Sequence, residues 1–565
     1  MPWFQNQTKT GWKTTENFLL WGLITVHLLP IWLFRYFPSQ DGPAHVHNAE
    51  VLKEYFLASD SFFQQYYTFN PNLAPNWFSH IAMAGLMTVV SPITAEKFFL
   101  SSYVILLPLA VAYTLGAITK EAKYFVFLSF PFIFNITLHL GFYNFSYSLI
   151  LFFFLIGYWL RYQQQPSCYR VVVLGLLSLL LYGCHIFSLI TAYVAIAILL
   201  IWQTFWQIFI RPQLSSQQLL LFFFQQAAPL VIAFFPSLLL VAQFILQKPK
   251  GSSRGNYSFD LTKLWSLLRL DSLASYDQIE LLFSIGLVCL LMSVTVYFLI
   301  QKIKQRQLHY EDGWLAVFVG YVVIYFVAPA QVHDSVTIKE RMMLYPYFAL
   351  ILWLGAKSYR YVMAKRIQLI AIALSLFLLG VHTWQYAKLN GYLKEYLSGA
   401  QLVETESTLL TINFSYFAQT TAGKPLFWQP YGRFLFFGQP WQIGTFIHAA
   451  GYLAAQRHSV YLNNYAANLE YFPINFQSEI NPFNYLYIKQ SREIVAANPA
   501  VPGVDIQAYE QQTTGKVDYV LLWQLQEQQY EYTNTQAILA QLNRGYELIY
   551  TSPNRGLLQL YRRRS

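Results

Sequence analysis

Charged residues are scarce in this chain. Asp, Glu, Lys and Arg make up only 11% of its 565 residues, whereas soluble domains carry about 25%. Hydrophobic residues account for 55%, and the mean hydropathy is +0.34. We therefore expect an integral membrane protein. The net charge of +10 does not indicate a nucleic-acid partner, because the Lys and Arg residues are scattered between apolar runs.

Cysteine is scarcer still. Cys168, Cys184 and Cys289 lie in or beside apolar runs, which predicts neither a disulfide framework nor a zinc site. The sequence also lacks a Walker motif or another glycine-rich phosphate loop, which argues against an ATP-driven pump. The first apolar run, 18–37, has the length of a membrane span and no small-residue cleavage site, so we do not expect a cleaved signal peptide.

Long apolar runs, by contrast, are abundant. A bilayer core requires about 20 apolar residues per helix, and we identify eleven candidate runs. They cover residues 18–37, 98–118, 124–140, 143–160, 171–182, 186–205, 219–246, 281–300, 314–330, 343–356 and 367–386. A further run, 77–95, contains His80 and has Pro92 near its end. Loops rich in Lys and Arg stay in the cytoplasm, and the basic loops 302–306 and 357–366 do so only if 77–95 does not cross.

The predicted fold class is therefore an α-helical polytopic membrane protein of about 11 transmembrane helices with a small C-terminal soluble α/β domain. Residues 1–386 form the transmembrane domain, and their outer loop 38–97 carries juxtamembrane or re-entrant helices. Residues 387–565 form an extracytoplasmic domain, and we expect the protein in a bacterial inner membrane. Within that domain, 518–523 indicates a buried strand, 535–543 a short helix, and 546–561 a hairpin around a turn with Pro, Asn and Gly.

Asp41 follows directly on the first predicted span, in the stretch QDGPAHVHNAEVL. Pro43 suits the first turn of a helix, because its missing N–H costs nothing there. Such a helix would place His45 and Asn48 along one side and Asp41 at its N-terminus. Asp41 then either caps the helix by accepting a backbone N–H or takes part in chemistry, and the two roles are compatible.

The predicted topology brings further histidines to the outer face, where polar groups at membrane depth usually mark function. His139 and His185 stand at span ends, so each is either a histidine that faces lipid headgroups or a site residue. His45 and His47 indicate a metal site only weakly, because two residues spaced HxH on a helix direct their rings to different sides.

Cations reach the same face. The loop with Lys248 and Arg254 is either solvated or binds a phosphate through charge-assisted hydrogen bonds, and its Gly and Ser residues make it flexible like a flap over substrate. Arg341 either snorkels to the interface or binds a phosphate. Asp334 and Lys339 lie close to it in the sequence.

These features resemble the GT-C superfamily of membrane glycosyltransferases, which includes protein O-mannosyltransferases, aminoarabinose transferases and the oligosaccharyltransferase catalytic subunit. The resemblance is carried by Asp41 in QDGPAHVHNAEVL and by the motif NPNLAP at 70–75, which leads into 77–95. The span count and the outer C-terminal domain are similar too. The chain departs from the pattern at one position, because the acidic Asp-Glu pair common in this loop is here Asp41-Gly42.

The resemblance implies an inverting glycosyltransferase that moves a sugar from a polyprenyl-phosphate donor to a lipid, glycan or protein acceptor on the extracytoplasmic face. It implies Asp41 as base or metal ligand, with a divalent metal possible but not identified. The candidate substrate-binding residues are His45, His139, His185, Lys248, Arg254, Asp334, Lys339 and Arg341. Two alternatives stay open: a transporter or flippase of lipid-linked sugars, and a noncatalytic membrane subunit whose outer domain binds a partner.

Overall fold

A computed structural model of the chain describes residues 14–58, 61–165, 167–247, 261–306, 308–329, 337–414, 443–488, 501, 503–525 and 527–564. Its helices are α1 Thr14–Leu33, α2 Gly42–Leu57, α3 Phe78–Met87, α4 Pro92–Ile118, α5 Ile136–His139, α6 Tyr143–Tyr162, α7 Cys168–Cys184, α8 Ile186–Ile210, α9 Ser216–Leu246, α10 Leu261–Arg269, α11 Ile279–Gln305, α12 Gly313–Val327, α13 Ile338–Met342, α14 Leu344–Gly355, α15 Tyr361–Tyr396, α16 Ala450–Arg457, α17 Pro482–Tyr485, α18 Ile506–Gln512 and α19 Thr533–Gly545. Its strands are β1 Tyr67–Phe69, β2 Thr408–Asn413, β3 Val460–Tyr461, β4 Ile474–Phe476, β5 Tyr519–Trp523, β6 Tyr546–Thr551 and β7 Leu558–Arg563.

The helices confirm the predicted class of a multi-pass membrane protein. In the described ranges, 8 helices are long and apolar enough to cross a membrane. They are α1, α4, α6, α8, α9, α11, α12 with the short turn before it, and α15. The number of eleven crossings stays a prediction.

The remaining three predicted spans form shorter elements. The run 124–140 is largely a 3-10 helix, Lys120–Phe132, followed by the single turn α5. Helix α7 has 17 residues, and all 12 residues of α14 are buried. A helix that is apolar on every side is buried in a protein core or in lipid, and composition alone does not separate the two. The run 77–95 contains the 10-residue helix α3, too short to cross, as predicted.

The C-terminal region contains the predicted small α/β unit. Its five-stranded sheet has the order β3-β2-β5-β7-β6, with β2 parallel to β3 and β5, and β7 antiparallel to β5 and β6. Every residue of β5 is buried, which confirms the predicted strand, and β6 and β7 confirm the predicted hairpin. Helix α19 confirms the predicted short helix.

The first loop and the C-terminal region pack together. Strand β1, in the loop after α2, pairs antiparallel with β4 of the C-terminal region, and α16 packs on α2. Helix α15 continues beyond the predicted domain boundary at residue 386 and ends at Tyr396. Residues about four hundred positions apart in the chain therefore meet around the N-terminus of α2.

Candidate functional site

A cavity of about 640 Å³ lies beside the N-terminus of α2. The transmembrane helices and the C-terminal region both line it. The polar part of its wall includes Gln40, Asp41, His185, Arg341, His448 and Tyr465, and the apolar part includes Phe187, Ile190, Phe244 and Ile245. The predicted site residues Asp41, His45, His185 and Arg341 thus line one cavity.

The Asp41 carboxylate is directed to this cavity and not to the helix. Asp41 is the N-cap residue of α2, but its side chain makes no capping hydrogen bond, so the capping interpretation is wrong. N-cap residues usually have extended backbone angles that let the side chain reach the first turn. Asp41 has φ −95° and ψ −14° instead, so only its carbonyl oxygen accepts from the helix, from the His45 N–H at 3.1 Å.

Three groups surround the Asp41 carboxylate. The Gln40 Nε2 donates to its Oδ1 at 3.1 Å, the Tyr465 hydroxyl hydrogen-bonds to it, and the His448 Nε2 lies 3.8 Å from the same Oδ1. Burial raises the pKa of Asp41 to about 6, although these hydrogen bonds and the charge of Arg341 act in the opposite direction. A carboxylate with such a pKa is ionised at neutral pH and is basic enough to take a proton.

Backbone contacts fix the position of Asp41. The N–H of Gln40 donates to the His139 carbonyl at 3.0 Å, and the N–H of Asp41 donates to the Leu140 carbonyl at 3.1 Å. Gly141, with φ +83°, lies against the segment that contains Asp41 and Gly42, and a Cβ there would be 2.4 Å from the Gly42 nitrogen. Only glycine combines that backbone conformation with so close an approach.

The same crowding explains the glycine at position 42. A Cβ on Gly42 would lie 2.1 Å from the Ser39 Oγ and 2.2 Å from the Tyr143 hydroxyl. That hydroxyl donates to the buried carboxylate of Glu96 at 2.5 Å. Position 42 therefore has no room for a carboxylate side chain in this arrangement, and the space is filled by Tyr143.

Arg341 is the cation of the cavity wall. It lies in α13, is 7% exposed, and stacks its guanidinium 4.2 Å from the centroid of the Phe142 ring. Burial lowers the pKa of Arg341 to about 10, so the guanidinium stays charged at neutral pH. Lys339, on the same short helix, is only half-buried and is not among the described residues that line the cavity.

The three predicted histidines have different surroundings. His45 Nδ1 lies 3.0 Å from His80 Nε2, and burial, followed by the charges of His80 and His448, lowers its pKa well below the ordinary value. His185 caps α8 by accepting the Phe187 N–H. His139 lies outside the cavity lining among the described residues: its ring contacts Ser275 and Tyr386, and its carbonyl supports the Asp41 loop.

Other predicted residues are not placed by the structure. Lys248, Arg254 and Asp334 lie outside the described residues, so their predicted roles stay predictions. The expectation that the HxH rings diverge is confirmed, because His47 Nε2 contacts the Ser459 carbonyl at 2.9 Å, whereas His45 faces the cavity.

One cluster of described residues has the composition of a metal site. Glu50, Glu54 and His458 each offer a ligand atom, and these atoms lie within 4.8 Å of one another. The Lys53 ammonium, however, lies 2.9 Å from Glu50 and 3.0 Å from Glu54, where a cation would bind. The cluster stands more than two helical turns along α2 from Asp41, so we treat it as an ion-pair network and not as part of the cavity.

Several site residues were not predicted from the sequence. Gln40, His448, Tyr465, Tyr471 and Phe472 line the cavity, and all but Gln40 come from the C-terminal region. No motif surrounds these four, and contacts between distant segments, among them the pairing of β1 with β4 and the packing of α16 on α2, bring them to Asp41. These residues could have been identified only with information on which distant segments of the chain are in contact.

The apolar part of the cavity adjoins the lipid-facing surface. Ile190 in α8 and Ile245 in α9 are 42% and 59% exposed, and both helices are apolar enough to cross a membrane. Exposed apolar side chains on such helices would contact lipid. The cavity therefore joins a polar space near Asp41 to a hydrophobic surface.

We compared the chain with known families and with characterised proteins. No protein-family model and no curated protein matches it.

Proposed function

We propose that this protein is a membrane glycosyltransferase that moves a sugar from a polyprenyl-phosphate donor to an acceptor hydroxyl. The observation that carries the proposal is that one cavity is lined by both the Asp41 carboxylate and the Arg341 guanidinium, whose charges act on each other, and has an apolar part formed by Phe187, Ile190, Phe244 and Ile245. A lipid-linked sugar phosphate needs all three: a base, a cation and a hydrophobic path for its tail.

The reaction follows from these groups. The acceptor oxygen forms a bond to the anomeric carbon of the donor sugar, and the bond from that carbon to the phosphate oxygen breaks. The electron pair of the broken bond leaves with the polyprenyl phosphate, whose added charge Arg341 offsets. The acceptor proton passes to Asp41. Attack from the face opposite the phosphate inverts the anomeric configuration.

Arg341 suits the phosphate for two reasons. Its planar guanidinium can donate to two phosphate oxygens at once, which a lysine ammonium cannot do. It is also held in place by the Phe142 ring and by a helix, and pairing with an anion is stronger in this buried position than in water.

The proposal is tested by a transfer assay with purified protein. A series of polyprenyl-phosphate donors is prepared, each carrying one labelled hexose, pentose or amino sugar. Each donor is incubated with the purified protein and with washed membranes from a strain of the source organism that lacks this chain. We expect one donor to lose its label to the membranes with release of polyprenyl phosphate. The matched variant Asp41→Asn should reduce this rate at least about 10²-fold, because it removes the base. Transfer by neither protein, or equal transfer by both, contradicts the proposal.

One observation favours a flippase of lipid-linked sugars as the second candidate. Glu280 in α11 and His382 in α15 are buried inside the helical bundle with 3.5 Å between Oε1 and Nε2, and ionisable groups at membrane depth often serve transport. A flippase would lose translocation of a fluorescent lipid-linked sugar in Glu280→Gln and keep it in Asp41→Asn. The proposed transferase predicts no translocation by the wild type.

A further inference from the structure

The C-terminal segment 444–452 runs along the Asp41 loop and is joined to it by hydrogen bonds. The N–H of Gly444 donates to the Gln40 Oε1 at 3.0 Å, and the Tyr452 hydroxyl donates to the Phe37 carbonyl at 2.9 Å. A Cβ on Gly451 would be 2.3 Å from the Pro43 carbonyl oxygen, so a glycine is needed for α16 to lie this close to α2. These contacts fix the register of the segment, and His448 lies in the middle of it.

The register places the His448 ring at the Asp41 carboxylate. Its Nε2 is 3.8 Å from the Asp41 Oδ1, which is longer than a hydrogen bond of about 2.7–3.2 Å. An oxygen atom at about 2.8 Å from both atoms would complete two hydrogen bonds. The separation therefore matches one hydroxyl group held between the carboxylate and the imidazole.

The surroundings of the ring determine which nitrogen carries the proton. Burial lowers the pKa of His448 to about 3, so the ring is neutral at pH 7. Its Nδ1 is buried and has no hydrogen-bond partner among the described residues. With the proton on Nε2, the N–H points toward a carboxylate, which is the electrostatically favourable tautomer. The ring packs against the Tyr465 ring in a tilted arrangement, with 4.6 Å between centroids.

We propose that His448 is a catalytic residue whose Nε2–H binds the acceptor oxygen while the acceptor O–H donates to Asp41. This inference rests on the proposed function and adds a residue of the C-terminal region that contacts the acceptor. The two hydrogen bonds leave one lone pair of the acceptor oxygen free to attack the anomeric carbon. When that lone pair forms the new bond, the acceptor proton moves to Asp41, and His448 keeps its own proton throughout.

The proposed role predicts that variants of Arg341 and of His448 change the kinetic constants of different substrates. Arg341 contacts the donor phosphate, so its variants should change the KM for the donor. His448 contacts the acceptor, so its variants should change kcat and the KM for the acceptor and leave the KM for the donor unchanged. A purely structural residue would instead lower the amount of active protein and leave both KM values unchanged.

The experiment compares His448→Phe with His448→Gln in the transfer assay above, with the washed membranes as the acceptor and the active labelled lipid as the donor. Phenylalanine keeps an aromatic ring in contact with Tyr465 but removes the N–H, whereas the Gln amide can supply an N–H near the position of Nε2. His458→Gln is the matched control, because His458 also belongs to the C-terminal region but lies at the Glu50 cluster and not at the cavity.

We expect His448→Phe to lower kcat about 10- to 100-fold and to raise the apparent KM for the membranes, with the donor KM within about twofold of the wild type. His448→Gln should recover most of this loss, and His458→Gln should match the wild type. Unchanged kinetics of His448→Phe, or equal losses in a well-folded His448→Gln, would overturn the role of the N–H. If the wild type transfers no sugar, the proposed function fails first and this role fails with it.

Discussion

Asp41, at the N-terminus of α2, and Glu50, near the middle of α2, each pair with a histidine of the C-terminal region, but with opposite electrostatic results. Asp41 and His448 lie 3.8 Å apart beside the cavity. Glu50 and His458 lie 3.0 Å apart, and Lys53 contacts the same carboxylate. Both pairs form where α2 and the residue before it meet α16 and the residues that flank it, so the difference between the pairs comes from their local surroundings.

The pKa shifts express that difference. Burial alone would raise the pKa of Glu50, but hydrogen bonds from His458 and Lys53 more than offset it and the pKa is lowered. The hydrogen bond that the His458 ring donates to Glu50 raises the pKa of His458. At the cavity both shifts are reversed, because burial raises the pKa of Asp41 and lowers that of His448. A satisfied ion pair holds two elements together, whereas desolvated groups that face a cavity are typical of a reactive site.

The largest expected effect is on the free energy of unfolding, which should change in opposite directions when Asp41 and Glu50 are replaced. The folded-state pKa of Asp41 is about 6, against about 3.9 when unfolded, so folding loses stability as pH rises from about 4 to 6. The full cost above pH 6 is about 3 kcal/mol. Asp41→Asn should therefore be more stable than the wild type at pH 8, by up to this amount, and about equal to it at pH 3.5. SDS titration in mixed micelles at both pH values measures the difference.

Glu50→Gln is the counterpart and should be less stable than the wild type by about 2 kcal/mol at pH 8, because it leaves Lys53 without its buried partner. Its loss should shrink as pH falls from the unfolded-state pKa of a glutamate, about 4.3, through the lowered pKa of Glu50, and should disappear below it, where the wild-type carboxyl is protonated as well. Stability changes of the same sign in Asp41→Asn and Glu50→Gln at pH 8 would contradict the contrast between the two pairs.

The next effect is the pH dependence of transfer. Asp41 must be ionised to accept a proton, so kcat/KM should fall about tenfold per unit below pH 6 and reach about a hundredth of its plateau at pH 4. Above pH 6 we expect a plateau, since Arg341, with a pKa of about 10, stays charged. A rate profile in Glu50→Gln should keep the same acid limb. A flat profile from pH 5 to 8 would mean that a group other than Asp41 accepts the proton of the acceptor hydroxyl.

A smaller effect is expected at the phosphate. Arg341→Lys keeps the charge but loses the two-point grip and the stacking on Phe142, and should raise the donor KM about 10- to 30-fold. Arg254→Lys, on the loop whose Gly and Ser residues predict a flap, should be milder. Farnesyl phosphate binding, with farnesol as the uncharged control, gives the same comparison without catalysis. Unaltered binding by Arg341→Lys would mean that another residue holds the phosphate.

The smallest effect is expected at the exposed histidine. The His458 side chain is 47% exposed, and ion pairs with such exposure contribute about 0–1 kcal/mol. His458→Gln should accordingly change unfolding in SDS by less than about 1 kcal/mol and leave transfer unchanged. A loss of transfer in this variant would mean that the pair of Glu50 and His458 also contributes to the function of the cavity.

The sequence predicted the parts of this site that depend on local signals. Pro43 marked the start of α2, the apolar runs marked the long helices, and Arg341 was placed near a helix start. It did not predict the orientation of the Asp41 side chain, because a backbone angle decides between capping and the cavity. Composition also could not decide whether the runs 124–140 and 343–356 cross the membrane, since a buried helix has the same composition as a helix in lipid.

His448 and Tyr465 could not be predicted, because their proximity to Asp41 is created by contacts between distant segments. The lack of room for a side chain at position 42 could not be predicted from the sequence either. The sequence shows a glycine directly after Asp41, but the neighbouring Tyr143 and Ser39 explain why a side chain is excluded there.

The most direct test of the central claim is an experimental density map of the protein in lipid nanodiscs with a polyprenyl phosphate bound. We predict the phosphate within about 4 Å of the Arg341 guanidinium, as in other charge-assisted contacts, with the isoprenoid tail leaving past Ile190 and Ile245 between α8 and α9. A phosphate bound elsewhere, with the cavity beside Asp41 unoccupied, would contradict the account.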